Sequence, residues 1–179
     1  MRLHLLLVFL LISGALSAQY VYINAPADCE GGLRFGVTSD WGADLLSDSW
    51  TGDVVIVDDG SALPTEGCNP LVNGSEVTGK IAFVDRGSCN FSLKALNAQT
   101  AGAIACVIAN HTPNVGTITM GAGNFATDVT IPVVMISYED GQLIRDKINQ
   151  GTTVNMSIGD LQFDYDLGIQ TQSLVFPPY

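Results

Sequence analysis

The sequence contains very few of the residues from which hydrolase active sites are built. It has two histidines, His4 and His111, and lacks the His-Glu-x-x-His, Gly-x-Ser-x-Gly and serine-protease patterns. His4 lies in the N-terminal apolar run, which leaves His111 as the one imidazole able to act as a base. Nucleophilic catalysis needs a base positioned beside the nucleophile and a group that orients the base. We therefore predict that this chain is not an enzyme, although a catalytic domain outside it remains open.

Positive charge is also scarce. Seven Lys and Arg residues stand against eighteen Asp and Glu residues, which gives a formal net charge of −11. Nucleic acids and anionic membrane surfaces are bound by basic surfaces. We therefore expect no nucleic-acid partner and no electrostatic membrane association.

Patterns for a metal or a cofactor are missing as well. No cysteines have the C-x-x-C spacing of a zinc site, and the glycines of "MGAGNF" lack the lysine of a phosphate-binding loop. Asp160, Asp164 and Asp166 include an Asp-x-Asp pair, but the glycine and later glutamate of a calcium loop are absent. We interpret these and the other acidic pairs as solvated turn residues, and we expect no cofactor.

The one long apolar run lies at the N-terminus. Arg2 is followed by apolar residues 3–12 and then by the small residues of "SGALSAQ". This pattern predicts a cleaved signal peptide over residues 1–18, with cleavage after Ser17 or Ala18. A buried or amphipathic N-terminal helix is the alternative. The remainder has the size of one domain and no further run able to cross a membrane, so we expect a secreted protein.

Four cysteines remain in the exported chain, and they allow three disulfide pairings. Cys68 and Cys89 lie in turns near predicted strand ends, where a bridge is easily reached. Cys106 lies within "AIACVIA" and is more simply explained as a buried apolar residue. We expect Cys29, like Cys106, to be unpaired, although the residues alone leave the pairing open.

Two successive units have the order strand, helix, strand. The first is predicted at 80–84, 91–101 and 103–109, and the second at 131–136, 138–149 and 153–158. Ser137 and Asp140 form a capping-box pattern at the second helix, and Ser88 or Asn90 can cap the first. Units of this length favour parallel strands joined by a right-handed crossover. The strands "IAFV" and "ACVIA" do not alternate, as expected when both faces of a sheet are covered.

Two segments lack a clear element. The stretch 111–130 is rich in Gly and Thr, and it predicts either a functional loop or a pair of short strands around "TITM". Residues 160–179 are interpreted as a linker or the start of a following segment. The chain also contains four Asn-x-Ser/Thr sequons, which are glycosylation candidates if the source is eukaryotic, although Asn155 lies in a predicted strand. They are at Asn73, Asn90, Asn110 and Asn155.

Three motifs together resemble the protease-associated (PA) domain family: "GKIAFVDRGSCNF", "KALNAQTAGAIACVIANH" and "IPVVMISYEDGQLI". The resemblance covers roughly residues 23–158, and we assign a PA domain to residues 20–159. It implies an α/β fold of the swivelling β/β/α type, which would contain the two strand–helix–strand units. It also implies a disulfide between Cys68 and Cys89, since family members commonly bridge these two motif positions.

The resemblance further implies a function. PA domains are non-catalytic modules of secreted peptidases and sorting receptors, where they bind peptide or protein and limit substrate access. We therefore expect a secreted interaction module that binds a peptide or protein, possibly a protease domain. Two alternatives remain: an accessory part of a longer secreted hydrolase precursor, and a structural spacer in an extracellular multidomain protein.

The first predicted helix suggests one binding surface. At 100° per residue, Phe91, Ala95 and Ala98 share a face that should pack on the sheet. Leu93 and Leu96 then fall on the opposite, solvated face. They are either tolerated surface residues or a docking patch for a partner.

Overall fold

A computed structural model describes residues 18–160 of the chain. The predicted signal peptide and the tail beyond Asp160 lie outside the described residues, apart from Ala18. Eight strands occur: β1 Gln19–Ala25, β2 Gly31–Gly32, β3 Phe35–Gly36, β4 Ser49–Ile56, β5 Ile81–Asp85, β6 Ala105–Ala109, β7 Val133–Ile136 and β8 Asn155–Asp160. The α-helices are α1 Gly74–Val77, α2 Phe91–Thr100 and α3 Tyr138–Asn149. No helix within residues 18–160 has the length and apolar composition needed to span a bilayer.

The strands form one curled sheet in the order β2-β1-β8-β4-β5-β6-β7-β3. Strand β4 is the corner of this sheet. Its first half, Ser49–Asp53, pairs antiparallel with β8, whereas Val54–Ile56 pairs in parallel with β5. The fold is therefore a mixed α/β fold, as predicted, with an antiparallel part and a parallel part joined through β4.

The first predicted unit is confirmed. Strands β5 and β6 pair in parallel, with Ile81 opposite Ala105 and Asp85 opposite Ala109, and α2 connects them. Successive residues of β5 point to opposite faces, and Ile81 to Val84 are all fully buried. This is the covered, non-alternating strand that the sequence indicated.

The second unit has the predicted elements, but its predicted parallel pairing is wrong. Strand β8 does not pair with β7; it lies antiparallel between β1 and β4. The reason is that both edges of β7 are occupied, by β6 on one side and by β3 on the other. Helix α3 therefore returns the chain to the antiparallel part of the sheet.

Two hydrophobic clusters fill the domain. One lies between the two parts of the sheet and includes Phe83 and Val107 of the parallel strands, Met156 of β8 and Ile144 of α3. The other lies between the opposite face of the parallel strands and α2; its members include Cys106 and the alanines 95 and 98. Because both faces of the parallel strands are covered, they offer little exposed surface except at their ends.

The cysteines and the second helix cap agree with expectation. Cys68 and Cys89 form a disulfide with Cα atoms 5.8 Å apart, while Cys29 and the buried Cys106 are free thiols. At α3, Ser137 Oγ accepts a hydrogen bond from the backbone N–H of Asp140 at 3.0 Å and donates to its carboxylate at 2.7 Å.

The stretch 111–130 has little regular structure. Met120 forms a single parallel bridge with Thr38, and a 3-10 turn covers Ala126–Asp128. Gln99 of α2 holds the far end of this loop, because its side-chain oxygen accepts from the backbone N–H of Thr130 at 2.6 Å. The loop therefore lies along α2 rather than forming the pair of strands considered as one alternative.

Candidate functional site

The parallel strands end together at one edge of the sheet and form a cleft there. Strand β5 ends at Asp85, Asn110 directly follows β6, and Tyr138 follows β7. Ligands of open parallel sheets bind at the carboxyl ends of the strands, where the loops diverge. This strand-end cleft has a volume of about 230 Å³. Its lining residues are Leu63, Thr65, Glu66, Asp85, Arg86, Asn110, His111, Tyr138, Gln142 and Arg145.

Two of the chain's few cations lie in this cleft, and they have different partners. Arg145 of α3 forms an ion pair with Asp85 and lies over the ring of Phe83, 5.1 Å from its centroid. The Asp85 carboxylate also accepts a hydrogen bond from the Thr65 hydroxyl at 2.5 Å. Arg145 is therefore committed to a carboxylate of the domain itself.

Arg86 has no carboxylate partner of this kind among the described residues. Its Nη1 donates to the side-chain oxygen of Asn110 at 3.0 Å, and its guanidinium lies 5.9 Å from the centroid of the Phe91 ring. Within residues 18–160, the ion pairs involve other cations and not Arg86. A guanidinium has five N–H donors, and the bond to Asn110 uses one of them, so this partly exposed side chain has donors left for a ligand.

His111 is exposed at the mouth of the cleft. Its Nδ1 is 2.7 Å from the Thr112 hydroxyl, and its backbone N–H donates to Asn110 at 2.8 Å. The nearby Ser88 hydroxyl donates to the Glu66 carboxylate at 2.7 Å. This serine is therefore hydrogen-bonded to a carboxylate rather than to an imidazole, which differs from the base–nucleophile arrangement of a serine hydrolase.

One wall of the cleft, the loop containing Glu66, Gly67 and Cys68, is held by α2. Lys94 is fully buried, and its Nζ donates to the backbone carbonyl of Glu66 at 2.6 Å and lies 3.7 Å from the Glu66 carboxylate. One turn further, the Asn97 side chain donates to the carbonyl of Gly67 at 2.9 Å. The Cys68–Cys89 bridge ties the same loop to the turn that contains Arg86.

The charges in this wall influence each other. Burial lowers the pKa of Lys94, and the Glu66 carboxylate partly offsets that effect. Burial also acts to raise the pKa of Glu66, but hydrogen bonds from Ser88 and the charge of Lys94 outweigh it, so the pKa lies below its ordinary value. The lowered pKa of Glu66 favours its carboxylate, whereas the lowered pKa of Lys94 disfavours its ammonium form, so burial weakens this pair from the lysine side.

The binding surface predicted from the sequence, Leu93 and Leu96 of α2, does not line the strand-end cleft. Ala95 and Ala98 are fully buried on the sheet side, as predicted for α2. Leu96, however, is half-buried and packs against the hydrophobic cluster under α2, so its predicted solvated position is wrong. The loop end around Val129 joins the same cluster and gives α2 a second packed flank. Leu93 is also half-buried, and the role of the two leucines in binding stays a prediction.

Sequence reasoning overlooked the residues that shape the cleft. Lys94, Asn97 and Arg86 all lie within the quoted motifs, but the motifs give none of them a place at a cleft. A lysine inside the small-residue sequence "SLKALNA" was an available signal, because lysine is rarely buried without a specific partner. Arg145 and Gln142 gave no signal, since their place at the cleft depends on where α3 lies.

Comparison with known proteins agrees with this geometry. A model of the PA domain matches residues 50–144, more than half of the 179 residues. The chain belongs to the PA domain family.

Two relatives and one solved structure illustrate the range of proteins to which this chain is similar. Over 112 residues the chain is 35% identical to ER degradation-enhancing alpha-mannosidase-like protein 3 of Xenopus laevis, covering 59% of this chain and 12% of the relative. Over 132 residues it is 28% identical to the PRADC1-like protein of Drosophila melanogaster, covering 72% of this chain and 65% of the relative. The aminopeptidase from Aneurinibacillus sp. strain AM-1 superimposes with a TM-score of 0.61 at 20% identity, covering 83% of this chain and 32% of that one. This structural likeness shows the shared fold.

Proposed function

We propose that this PA domain is a non-catalytic module of a secreted protein that binds a peptide or protein segment in the strand-end cleft. In this proposal it is accessory to an extracellular peptidase and limits substrate access. The observation that carries the proposal is Arg86, a partly exposed cation in the cleft that has a side-chain amide, rather than a carboxylate, as its partner. The predicted signal peptide and the Cys68–Cys89 disulfide support export, because disulfides are typical of oxidising compartments.

The chemistry of the cleft favours a ligand that carries a carboxylate. A guanidinium binds carboxylates through two parallel hydrogen bonds, and the donors of Arg86 that Asn110 leaves unused suit that geometry. Tyr138 and Gln142 also line the cleft and add an aromatic ring and a further amide. We therefore propose a peptide segment with an aspartate, a glutamate or a free C-terminus as the ligand.

The first experiment measures binding of the full chain to an array of peptides in which each Asp- or Glu-containing peptide has an Asn or Gln twin. We expect the acidic member of a pair to bind more tightly. The Arg86→Gln variant should lose at least about tenfold in affinity, equivalent to about 1.4 kcal/mol. Arg34→Gln is the matched control, because Arg34 is an exposed arginine that does not line the cleft. Equal losses in both variants, or none in Arg86→Gln, would contradict a site at this cleft.

The non-catalytic part of the proposal has its own test. Purified protein, incubated with a broad panel of peptidase substrates, should show no turnover above a buffer control. Turnover that disappears in His111→Ala would overturn this part, because His111 is the imidazole of the described domain.

A second candidate function is an accessory part of a longer secreted hydrolase. It is favoured by the small share of the aminopeptidase and mannosidase-like chains that this domain matches. An antibody against the domain, applied to a source extract from which N-linked sugars have been removed, should detect a band no larger than 18.9 kDa if the module acts alone. A much larger band would favour the precursor. A structural spacer would be favoured instead if Arg86→Gln changed no binding.

A further inference from the structure

The four sequons of the chain have different environments in the folded domain. N-linked glycosylation attaches a large hydrated sugar to an asparagine side chain, so the folded protein must leave that side chain in solvent. An asparagine whose Nδ2 and oxygen both bond to neighbouring groups points its amide into the fold, where a sugar on Nδ2 would have to fit beside those bonds. The four asparagines can therefore be compared by the exposure of their side chains and by the hydrogen bonds that their amides make.

Asn110 and Asn155 are built into the fold. Asn110 is 2% exposed; its side-chain oxygen accepts from Arg86 at 3.0 Å, and its Nδ2 donates to the carbonyl of Gly116 at 2.7 Å. Asn155 lies in β8, where its Nδ2 donates to Asp53 and its oxygen accepts from Asn24, both at 2.9 Å. A sugar on the Asn110 nitrogen would disturb the hydrogen bonds at the end of β6. A sugar on the Asn155 nitrogen would disturb those that join β8 to its neighbouring strands.

Asn73 is also occupied, although it is less buried. Its Nδ2 donates to the carbonyl of Ile56 at 3.0 Å, and its oxygen accepts from the backbone N–H of Asp58 at 2.9 Å. Both bonds anchor the start of α1 to the end of β4. The side chain therefore points into the domain at the atom that would carry the sugar.

Asn90 differs from the other three. It is exposed, it occupies the N-cap position of α2, and its side chain makes no capping hydrogen bond. The helix start is held by main-chain bonds instead, since Leu93 and Lys94 donate to the carbonyl of Asn90. The Asn90 amide can therefore be modified without removing a bond that the fold uses.

We propose that Asn90 is an N-glycosylation site and that the other three sequons are unmodified in the folded protein. The co-reactant is a polyprenyl-diphosphate-linked oligosaccharide of the secretory pathway. The bond between Asn90 Nδ2 and C1 of the first sugar forms as the C1–oxygen bond to the lipid diphosphate breaks. The diphosphate leaves with that electron pair, and Nδ2 releases one of its two protons.

The position of the sugar is also specific. Asn90 lines a shallow groove together with Arg86, Phe91, His111 and Gly121, next to the strand-end cleft. An oligosaccharide at Asn90 would therefore stand at the rim of the cleft and narrow the approach to it. The modification itself does not depend on the proposed peptide binding.

The experiment expresses the full chain in insect cells, with a second sample in which a host leader replaces residues 1–18 so that entry into the secretory pathway is certain. The protein is treated with an amidase that removes N-linked sugars and converts the glycosylated asparagine to aspartate. Peptide mass spectrometry should show this conversion at Asn90. Electrophoresis should show one mobility shift on enzyme treatment, and that shift should be lost in Asn90→Gln.

Asn73→Gln and Asn155→Gln are the matched controls and should keep the full shift. Asn90→Asp, which retains the size of the side chain, should lose it as Asn90→Gln does. No conversion at Asn90 in the wild-type protein, a shift that persists in Asn90→Gln, or conversion at Asn73, Asn110 or Asn155 would overturn the proposal. The mass measurement on the wild-type chain needs no variant, so a folding defect in a variant cannot obscure the result.

Discussion

Helices α2 and α3 each contribute a cation to the neighbourhood of the strand-end cleft, and the two cations differ in burial and in the group that they bind. Lys94 of α2 is fully buried and bonds to the backbone of the Glu66 loop. Arg145 of α3 is partly exposed and pairs with the Asp85 side chain in the cleft itself. The difference indicates that α2 supports the wall of the cleft, whereas α3 forms part of its surface.

The sharpest test of this comparison is to remove each cation in turn. Lys94→Met leaves the carbonyl and carboxylate of Glu66 without their buried partner, and removing one member of a buried pair costs about 3–5 kcal/mol. Arg145→Met breaks a partly exposed pair, which contributes at most about 1 kcal/mol. Urea unfolding measured for both variants should give this order. Equal losses would contradict the assignment of Lys94 as the supporting residue.

The Cys68–Cys89 disulfide is a second, covalent link that fixes the Glu66 loop on the α2 side of the cleft. Cys68 and Cys89 are 21 residues apart, and for a loop of this length the chain-entropy model gives about 3 kcal/mol of stabilisation. The double variant Cys68→Ser/Cys89→Ser should lose about that free energy of unfolding. Cys29→Ser is the control, because Cys29 is a half-buried free thiol and its loss should have a much smaller effect. Detection of Cys68 and Cys89 as free thiols in the exported protein would contradict the bridge.

The packing of α2 can be tested with its two leucines. Leu96 packs against the cluster under the helix, and half-burial of a leucine contributes about 1 kcal/mol, so Leu96→Ser should cost about that much. Leu93 does not belong to that cluster, and Leu93→Ser should change stability by less than about 0.5 kcal/mol. If Leu93→Ser instead weakens association with a protein partner at unchanged stability, Leu93 belongs to a docking surface. A larger loss of stability for Leu93 than for Leu96 would show that the helix is rotated.

Local patterns in the sequence were sufficient for the elements of both units, but not for the partner of each strand. The apolar runs of β5 and β6 and the Ser137–Asp140 cap are short-range signals, and all three occur as predicted. The pairing of β8 could not be predicted in the same way. It depends on β3, a strand of two residues that occupies the free edge of β7 and carries almost no pattern of its own.

The candidate site could likewise be predicted only where its residues are close together in the sequence. The cysteine turn and the motif around Arg86 were visible in the sequence, because motif residues are contiguous. The cleft, in contrast, combines side chains from three strand ends, the Glu66 loop and α3, which are far apart in the chain. Its electrostatics depend on which of these carboxylates and cations meet, and that follows from the sheet order and from the positions of the Glu66 loop and α3.

The smallest expected effect concerns stability at low pH. It compares a carboxylate on the α2 side of the cleft with one near α3. The Glu66 pKa lies below its ordinary value of 4.5 despite burial, because Ser88 and Lys94 stabilise the carboxylate. Near α3, a hydrogen bond from the backbone N–H of Asn114 lowers the pKa of Glu139, which is exposed. A carboxyl whose pKa is lowered by folding stabilises the protein above its unfolded pKa, and that stabilisation is lost as the pH falls through the folded value.

Unfolding free energies measured between neutral pH and the acid limit should therefore decline below about pH 4.5, the ordinary glutamate pKa. Glu66→Gln should flatten this decline, because the variant has no carboxylate to protonate at the buried position. Glu139→Gln should flatten it less, since water screens the charge of an exposed group. A larger effect of Glu139→Gln would place the stronger coupling on the α3 side and contradict the role of the Lys94–Glu66 pair in supporting the cleft wall.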